Sequence, residues 1–245
     1  MTLAAAASAS VTIEVGGQAL TLLPERAAFL SASRTLLVAD AHIGKAVSFR
    51  RLGVPVPAGT TGETLSRLTG LVERLGAGRI VFLGDFLHSV RSMAPRTLAE
   101  VLRWRERHKG LELTLVRGNH DDHAGDPPSL LGIQPFDEPL LQDGVALCHH
   151  PRAHDGAFAL AGHLHPCISI GGRAHDWHRL ACVWFSQQVG VLPAFGAFTG
   201  MQAIRAAPGE RVFAATAERV FELRRAPTSP TFPSVSVARA GLARR

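Results

Sequence analysis

The sequence predicts an α/β domain, and three of its features carry that prediction. First, short apolar runs that end in polar residues indicate buried strands. Second, segments with the period of a helix lie between the runs of the first half. Third, shorter strand-like runs follow residue 140. The alternation predicts a largely parallel sheet in the first half, to which the later runs add antiparallel strands. A chain of 245 residues is long enough to bury one large core.

The first half begins with a predicted hairpin. Residues 11–15 and 19–23 alternate between apolar and polar side chains on either side of a Gly-Gly turn signal. The first buried run is residues 36–39, which are too few for a helix and too apolar for a loop. Residues 44–58, which follow it, are predicted to form a loop.

Two segments have the period of a helix, because their leucines and valines recur on one face. The first begins at Thr60 and ends at the glycines at positions 76 and 78, and the second follows Pro95. The complete set of predicted buried strands is residues 36–39, 79–83, 111–116, 145–148 and 158–161.

Composition limits the partners and the location. Lys and Arg number 26 against 20 Asp and Glu, and the resulting charge of +6 suits a polyanionic partner without demonstrating one. The three cysteines include no close metal-binding pair and are expected to be buried thiols of a reducing compartment. Residues 1–10 lack the features of a secretory signal, and no apolar stretch approaches the roughly 20 residues of a membrane span. The expected location is the cytoplasm, without membrane contact.

One domain is expected over residues 1–223, since the sequence contains no recognisable internal repeat and no second core. From residue 224 the composition changes to Pro, Ser, Thr and Arg without periodicity. Residues 224–245 are therefore expected to form a basic, flexible tail.

Each of the predicted buried strands ends in residues that can bind metals. The carboxyl ends of strands in an open α/β sheet lie along one edge, so residues far apart in sequence can converge there. Oxygen and imidazole donors without thiolate favour Mn, Fe, Zn or Mg over a structural zinc site. Two carboxylates, four histidines and one amide are too many donors for one ion and suit two. The expected ligands are Asp40, His42, Asp85, Asn119, His149, His163 and His165.

The order of these residues forms a signature: Asp-x-His, Gly-Asp, Gly-Asn-His-Asp, His and Gly-His-x-His, over residues 36–166. It resembles the calcineurin-like metallophosphoesterase superfamily. The resemblance implies a metallo-dependent phosphatase-like fold, which is a four-layer α-β-β-α sandwich of two mixed sheets, with a dinuclear metal centre. It implies that one ion is held by Asp40, His42 and His165 and the other by Asn119, His149 and His163, with Asp85 bridging both.

Two divalent ions at such a site would suit phosphate chemistry. They bring four positive charges against the two negative charges of Asp40 and Asp85, so the loaded site attracts phosphate. Metals about 3.5–4 Å apart can share a hydroxide and clamp the attacking and leaving oxygens of an in-line displacement. The expected reaction is attack of a bimetal-bound hydroxide on a phosphoester. Manganese is the first expectation for the metal, with Fe, Zn or Mg as alternatives.

His120 is adjacent to Asn119 but outside the ligand set, and the resemblance implies that it faces the leaving-group oxygen as general acid. Many family members carry an Asp three residues after the Gly-Asp carboxylate, where it orients this histidine, but this sequence has His88 there. Asp121 is a candidate orienting partner by proximity alone, and His88 is a candidate contact for substrate phosphate. The remaining histidines are expected to be surface or supporting residues; they are His108, His123, His150, His154, His175 and His178.

Sequence motifs in the second half narrow the resemblance to one branch of the superfamily. The segments 149–151, 162–166 and 192–200, the last reading Leu-Pro-Ala-Phe-Gly-Ala-Phe-Thr-Gly, resemble the ligase-associated DNA-damage-response phosphoesterase/endonuclease branch (PdeM type). This resemblance implies a DNA substrate, single-stranded or damaged, and action in bacterial repair with a DNA ligase and a helicase. Two alternatives stay open. One is a phosphodiesterase for small molecules or cyclic nucleotides, and the other is a metal-bound repair scaffold with little turnover.

Arginines and aromatic residues bear on the DNA hypothesis. Each phosphate contact releases counterions, so arginines near the mouth of the site would support binding of DNA. A solvated helix face explains the same arginines equally well. The arginines in question are Arg91, Arg96, Arg103, Arg105 and Arg107. The aromatic residues that could stack on bases are each expected to be core residues; they are Phe86, Trp104, Trp177 and Trp184.

Overall fold

The computed structural model describes residues 10–56, 59–171 and 177–223. The tail expected at 224–245 lies outside the described residues, so the division at residue 223 stays a prediction. The described strands form two sheets, and no helix of the described ranges is long and apolar enough to cross a membrane.

The first sheet has seven strands that lie side by side in the order of the chain. They are β1 Val11–Val15, β2 Gln18–Leu23, β3 Ala27–Leu30, β4 Thr35–Ala39, β5 Arg79–Leu83, β6 Glu112–Val116 and β7 Ile133–Phe136. Strands β1 to β4 pair in antiparallel fashion, and β4 to β7 pair in parallel. The sheet is therefore mixed.

Helices of the described residues cover the first sheet. They are α1 Lys45–Arg51, α2 Thr60–Leu75, α3 Pro95–Arg107 and α4 Asn119–Ala124. The apolar faces of α2 and α3 pack against one face of the sheet, with Leu68 and Trp104 in the same core as Phe82. Helix α2 ends at Gly76, which adopts the left-handed conformation that a C-terminal cap requires. Pro95 occupies the first turn of α3, where its missing N–H costs nothing.

The second sheet follows in the chain and packs on the other face of the first. Its strands are β8 Leu140–Gln142, β9 Val145–Leu147, β10 Phe158–Ala161, β11 Pro166–Gly171, β12 Trp177–Phe185, β13 Val189–Val191, β14 Gln202–Ala203, β15 Arg211–Ala215 and β16 Val220–Glu222. The order is β14-β11-β12-β13-β10-β9-β8, with β15 paired to β12 and β16. Strands β9, β10 and β13 run parallel, and β12 and β15 run antiparallel to their neighbours.

Strand β4 contributes to two hydrophobic cores, one between the first sheet and the helices and one between the two sheets. Leu36 and Val38 point to the helices, whereas Leu37 and Ala39 point to the core between the sheets, because successive side chains of a strand lie on opposite faces. Both faces are buried, and this explains the unbroken apolar run in the sequence.

Most predicted elements are confirmed, including the hairpin, both helices and the buried strands. The predicted loop at 44–58 is wrong in part, because α1 occupies seven of its residues. This helix is too short to show a periodic apolar face. Strand β3 was not predicted, and no alternation marks it because all four of its residues are buried. All three cysteines are free and buried, as expected.

Candidate metal centre

Backbone strain is concentrated at the carboxyl ends of the central strands. Eight non-glycine residues of the described ranges have positive φ, and five of them are expected ligands. These five are Asp40, His42, Asp85, His163 and His165. Left-handed backbone is unfavourable for residues with a Cβ and persists only where the surroundings impose it, typically at functional sites. The strain therefore indicates a functional site at this edge of the sandwich.

Two glycines allow the strand ends to approach each other. A Cβ at Gly84, where φ is +75°, would lie 2.1 Å from Nδ1 of His149. A Cβ at Gly118 would lie 2.4 Å from Oδ1 of Asp85. Neither space can hold a methyl group, so these glycines are required for the side chains around them to meet.

One group of donor atoms comprises Asp40, His42 and His165, whose ligand atoms all lie within 4.8 Å of one another. His165 Nε2 is 3.3 Å from Asp40 Oδ1. Its Nδ1 lies 3.1 Å from the carbonyl of Gly200, and an N–H donated there leaves Nε2 with a lone pair toward the carboxylate. Both ring nitrogens of His42 and Nε2 of His165 are buried without a hydrogen-bond partner among the described residues. Buried ring nitrogens without a hydrogen-bond partner suit the binding of a cation.

A second group is centred on His149. Its Nδ1 lies 3.1 Å from the carbonyl of Leu83 and donates there, so the neutral ring keeps a lone pair on Nε2. That nitrogen lies 3.0 Å from Oδ1 of Asn119 and 3.5 Å from Oδ1 of Asp85. It also lies 3.0 Å from Nδ1 of His163. The lone pair of His149 Nε2 thus faces three potential ligand atoms, and burial lowers the pKa of His149, which keeps that nitrogen unprotonated.

Asp85 lies between the two groups. Its Oδ2 is 3.9 Å from Nε2 of His42, and its Oδ1 is 3.5 Å from Nε2 of His149. Burial, followed by repulsion from Asp40, raises the pKa of Asp85 to about 6. Two neighbouring buried carboxylates are costly, and a divalent cation would reduce that cost.

The histidines are held in the form that binds metals. Burial lowers the pKa values of His42, His149 and His163, so these rings are neutral near pH 7. Neutral imidazole, carboxylate and amide oxygen form a donor set that fits divalent cations. The Asp and His clusters thus support divalent metal binding at this edge.

His120 is oriented by a backbone carbonyl. Its Nδ1 donates to the carbonyl oxygen of His88 at 3.0 Å, which leaves Nε2 facing the site 4.0 Å from Oδ2 of Asp85. Asp121 does not hold this ring. Its buried carboxylate accepts hydrogen bonds from the backbone N–H groups of Phe86, Leu87 and Gly118 at 3.0–3.3 Å. Asp121 therefore ties the turn after β5 to the turn before α4.

His88 packs beside His120, with ring centroids 4.8 Å apart. Burial, followed by the nearby charge of Lys45, lowers the pKa of His88 to about 4, so it is neutral near pH 7. The His88 ring also lies 5.3 Å from the ring of His42, so His88 is beside the candidate centre.

A comparison with solved structures decides the family. The crystal structure of Pseudomonas putida nuclease MPE aligns over 87% of this chain and 100% of that chain, with 44% sequence identity and a TM-score of 0.77. The chain belongs to the family of this nuclease. The family relationship agrees with the α/β fold class of two mixed sheets, which is confirmed, and with a metallophosphoesterase-type fold.

Other comparisons add little. Yfce, a phosphoesterase from E. coli, aligns over 74% of this chain and 86% of that chain at 15% identity, and its TM-score of 0.34 is too low to support an argument. No protein-family model and no curated protein matches the chain.

His150 is close to the centre but has another partner. Its ring lies 4.7 Å from that of His163, and the ligand atoms of His149, His150 and His163 lie within 4.8 Å of one another. However, Nδ1 of His150 pairs with Glu138 Oε1 at 2.8 Å. Glu138 also accepts the backbone N–H groups of His149 and His150, and although burial would raise its pKa, these hydrogen bonds lower it to about 2. Glu138 thus anchors the His149 turn, a role that no local pattern predicted.

Lys45 is a second residue near the centre that no sequence motif indicated. It is partly buried at the start of α1, and the charges of Asp85 and Asp40 both act on its ammonium group. Its position three residues after His42 and its rarity, as one of two lysines, were the available signals.

The arginines after the Gly-Asp strand are not all near the site. Arg105 Nη1 donates to the carbonyls of His108 and Leu111, at the end of α3 that leads into the amino end of β6. The candidate centre lies at the opposite, carboxyl end of β6. The expectation that Arg103, Arg105 and Arg107 lie at the mouth of the site is therefore wrong, because a helix after a parallel strand runs back toward the other edge.

The aromatic residues divide in a similar way. Phe86 and Trp104 are core residues, as expected. Trp184 is half-buried, with its Nε1 donating to Glu210 at 2.9 Å, whereas Trp177 is 67% exposed. The expectation of a core position is wrong for Trp177. His175 lies outside the described residues.

Proposed function

We propose that the chain is a metal-dependent phosphodiesterase that hydrolyses DNA phosphodiester bonds as an endonuclease. The observation that carries the proposal is the convergence of seven neutral or acidic donors from five strand ends at one edge of the sandwich. Membership in the family of nuclease MPE supports nucleic acid as the substrate. The chain's basic charge of +6 agrees with a polyanion.

The proposal assigns one ion to Asp40, His42 and His165 and the other to Asn119, His149 and His163, with Asp85 shared. When bound, divalent cations at these positions would lower the pKa of water and offset the charge of the phosphate. We propose Mn first, with Fe, Zn or Mg as alternatives.

The remaining roles belong to residues at the rim. In its protonated form, His120 is placed to donate the proton on Nε2 to the leaving oxygen, because the His88 carbonyl accepts the hydrogen bond from its Nδ1. A neutral His88 can donate a hydrogen bond to a phosphate oxygen, and Lys45 can offset its negative charge. The bacterial repair context, with a DNA ligase and a helicase in the cytoplasm, rests on the resemblance of the sequence alone.

The test is hydrolysis of bis-p-nitrophenyl phosphate and of single-stranded and duplex DNA with Mn, Mg, Zn or EDTA. We expect Mn-stimulated diester cleavage that EDTA abolishes. Asp85→Ala should abolish cleavage of every substrate, and His120→Ala should lower kcat about 10²–10⁴-fold because proton transfer is lost. The matched controls are Asp155→Ala and His108→Gln, which change residues outside the donor groups.

The results separate the alternatives. A DNA substrate should lose turnover steeply as salt increases, whereas a small diester should not. Hydrolysis of small or cyclic diesters without DNA cleavage would favour the small-molecule alternative. Persistent activity of Asp85→Ala would contradict the shared position of that carboxylate, and no turnover with any metal would favour the scaffold.

A further inference from the structure

A second feature lies at the same edge of the sandwich, on the His165 side of the candidate centre. It is a groove of about 510 Å³, which we call the arginine groove, and Arg26, Arg67 and Arg179 contribute to its walls. A volume of this order suits a nucleotide-sized group, since small-molecule sites span about 300–1,000 Å³. None of these arginines belongs to the donor groups described above.

Strand register places the groove at the same edge as the centre. The turn before β3 carries Arg26, and β3 begins beside the end of β4 because Ala28 pairs with Leu37 in antiparallel register. Strand β12 runs antiparallel to β13, so its first residues, including Arg179, lie where β10 and β13 end.

The segment 195–201 forms a shared wall. Gly196 N–H donates to the carbonyl of Asp40 at 3.1 Å, and the carbonyl of Gly200 accepts from His165 Nδ1. The next residue, Met201, lines the groove. Arg67 donates to the Phe195 carbonyl and lies 4.2 Å above the Phe195 ring, so the groove and the centre contact the same short segment.

The charges in the groove favour an anion. Glu25 also lines it, with Oε1 paired to Arg74 at 2.7 Å and Oε2 buried without a hydrogen-bond partner among the described residues. Glu63 is the other carboxylate that acts on Arg26 and Arg67, so three arginines of the groove and Arg74 stand against two carboxylates. Nε of Arg67 is buried without a hydrogen-bond partner among the described residues. Burial, followed by the charge of Arg26, lowers the pKa of Arg67 to about 10, and the charges of Glu63 and Glu25 oppose this shift.

We infer that the arginine groove binds the phosphate backbone of a single nucleic-acid strand next to the phosphodiester held at the metal centre. Guanidinium groups match phosphate geometry, and a groove adjoining the site can hold a flanking phosphate of the same strand. The inference rests on the proposed function and adds to it a subsite for a polymeric substrate.

The test uses the full chain and a fluorescein-labelled strand of 20 thymidines, titrated in EDTA so that the strand stays intact. Arg179→Glu changes an exposed side chain, and we expect it to weaken binding about tenfold at low salt and to reduce the slope of log K against log salt by about 1 or more. Arg26→Asn is the second variant, because Asn tolerates the positive φ of 66° found there. The matched control is Arg107→Glu, on an exposed residue at the far end of α3.

With Mn, the groove variants should raise KM for the strand and leave hydrolysis of bis-p-nitrophenyl phosphate unchanged. Arg179→Lys, which keeps the charge, should restore most of the binding. Unchanged binding by both groove variants, or equal weakening by Arg107→Glu, would overturn the inference. A wild-type chain that neither binds nor cuts the strand would instead contradict the proposed function.

Discussion

Asp121 shows what a single buried residue contributes at this edge. Its carboxylate accepts three backbone N–H groups from the turns after β5 and β6, and it is 1% exposed. Burial raises its pKa to about 6, and the three hydrogen bonds limit that increase. Asp85 and His120 belong to the same two turns, so Asp121 positions residues of the centre without facing it.

Asp121→Asn should destabilise the fold. An amide has one acceptor oxygen and presents an NH₂ group to the N–H groups that the carboxylate now satisfies, so the free energy of unfolding should fall by about 1–3 kcal/mol. Urea denaturation at pH 7.5 measures it. Asp122→Asn, on the exposed neighbour, is the control and should have little effect. Equal stability of the two variants would contradict the role of Asp121.

At the scale of elements, the strand ends meet because the turns that follow them are unusually close. The turn after β5 passes beneath the His149 ring, and His149 Nδ1 donates to the carbonyl of Leu83. A tight β5 turn and a strand end from the second sheet therefore depend on each other.

Gly84→Ala tests this dependence. The added methyl would lie 2.1 Å from His149 Nδ1 at a backbone φ of +75°, so the His149 ring must move and its hydrogen bond to Leu83 must weaken. We expect affinity for Mn to fall about 10–100-fold, as for other losses of a partner that orients a ligand. Isothermal titration calorimetry measures it. Gly78→Ala is the control, since a Cβ there meets nothing within 4 Å. Wild-type affinity in Gly84→Ala would contradict the predicted displacement.

At the scale of the molecule, the centre couples stability to pH. Burial lowers the pKa values of four histidines at the centre, so at these positions the unfolded chain binds more protons than the folded chain near pH 6. The four are His42, His88, His149 and His163. The raised pKa values of Asp85 and Asp121 oppose this trend, because near pH 6 the folded chain binds protons at these two carboxylates and the unfolded chain does not. Two carboxylates, however, oppose four histidines.

Stability in EDTA should therefore decrease as the pH is lowered from 7.5 to 5.5. The sign follows from the lowered pKa values, because acidification protonates histidines in the unfolded chain that stay neutral in the folded one. Urea denaturation at both pH values measures it, and Mn at pH 7.5 should stabilise the chain further because the metal binds the folded form. A metal-free chain that becomes more stable on acidification would contradict the prediction.

Local pattern was sufficient for much of this architecture. The strands that lead to Asp40, Asp85 and Asn119 are short buried runs. Because a buried strand must be apolar on both faces, each strand and its polar end can be predicted from the local sequence alone. Helix α2 could be predicted in the same way, because its helical period and the glycine that caps it, Gly76, are features of the local sequence.

Tertiary structure alone decided which groups face each other. The hydrogen bond from His120 to the His88 carbonyl, the contacts of Asp121 with backbone N–H groups and the pairing of Glu138 with His150 join separate turns. Such pairs depend on strand register and turn geometry, which no local pattern contains. The arginine groove is the same case at a larger scale, because its arginines come from a turn, a helix and a strand that only the packed sheets bring to one edge.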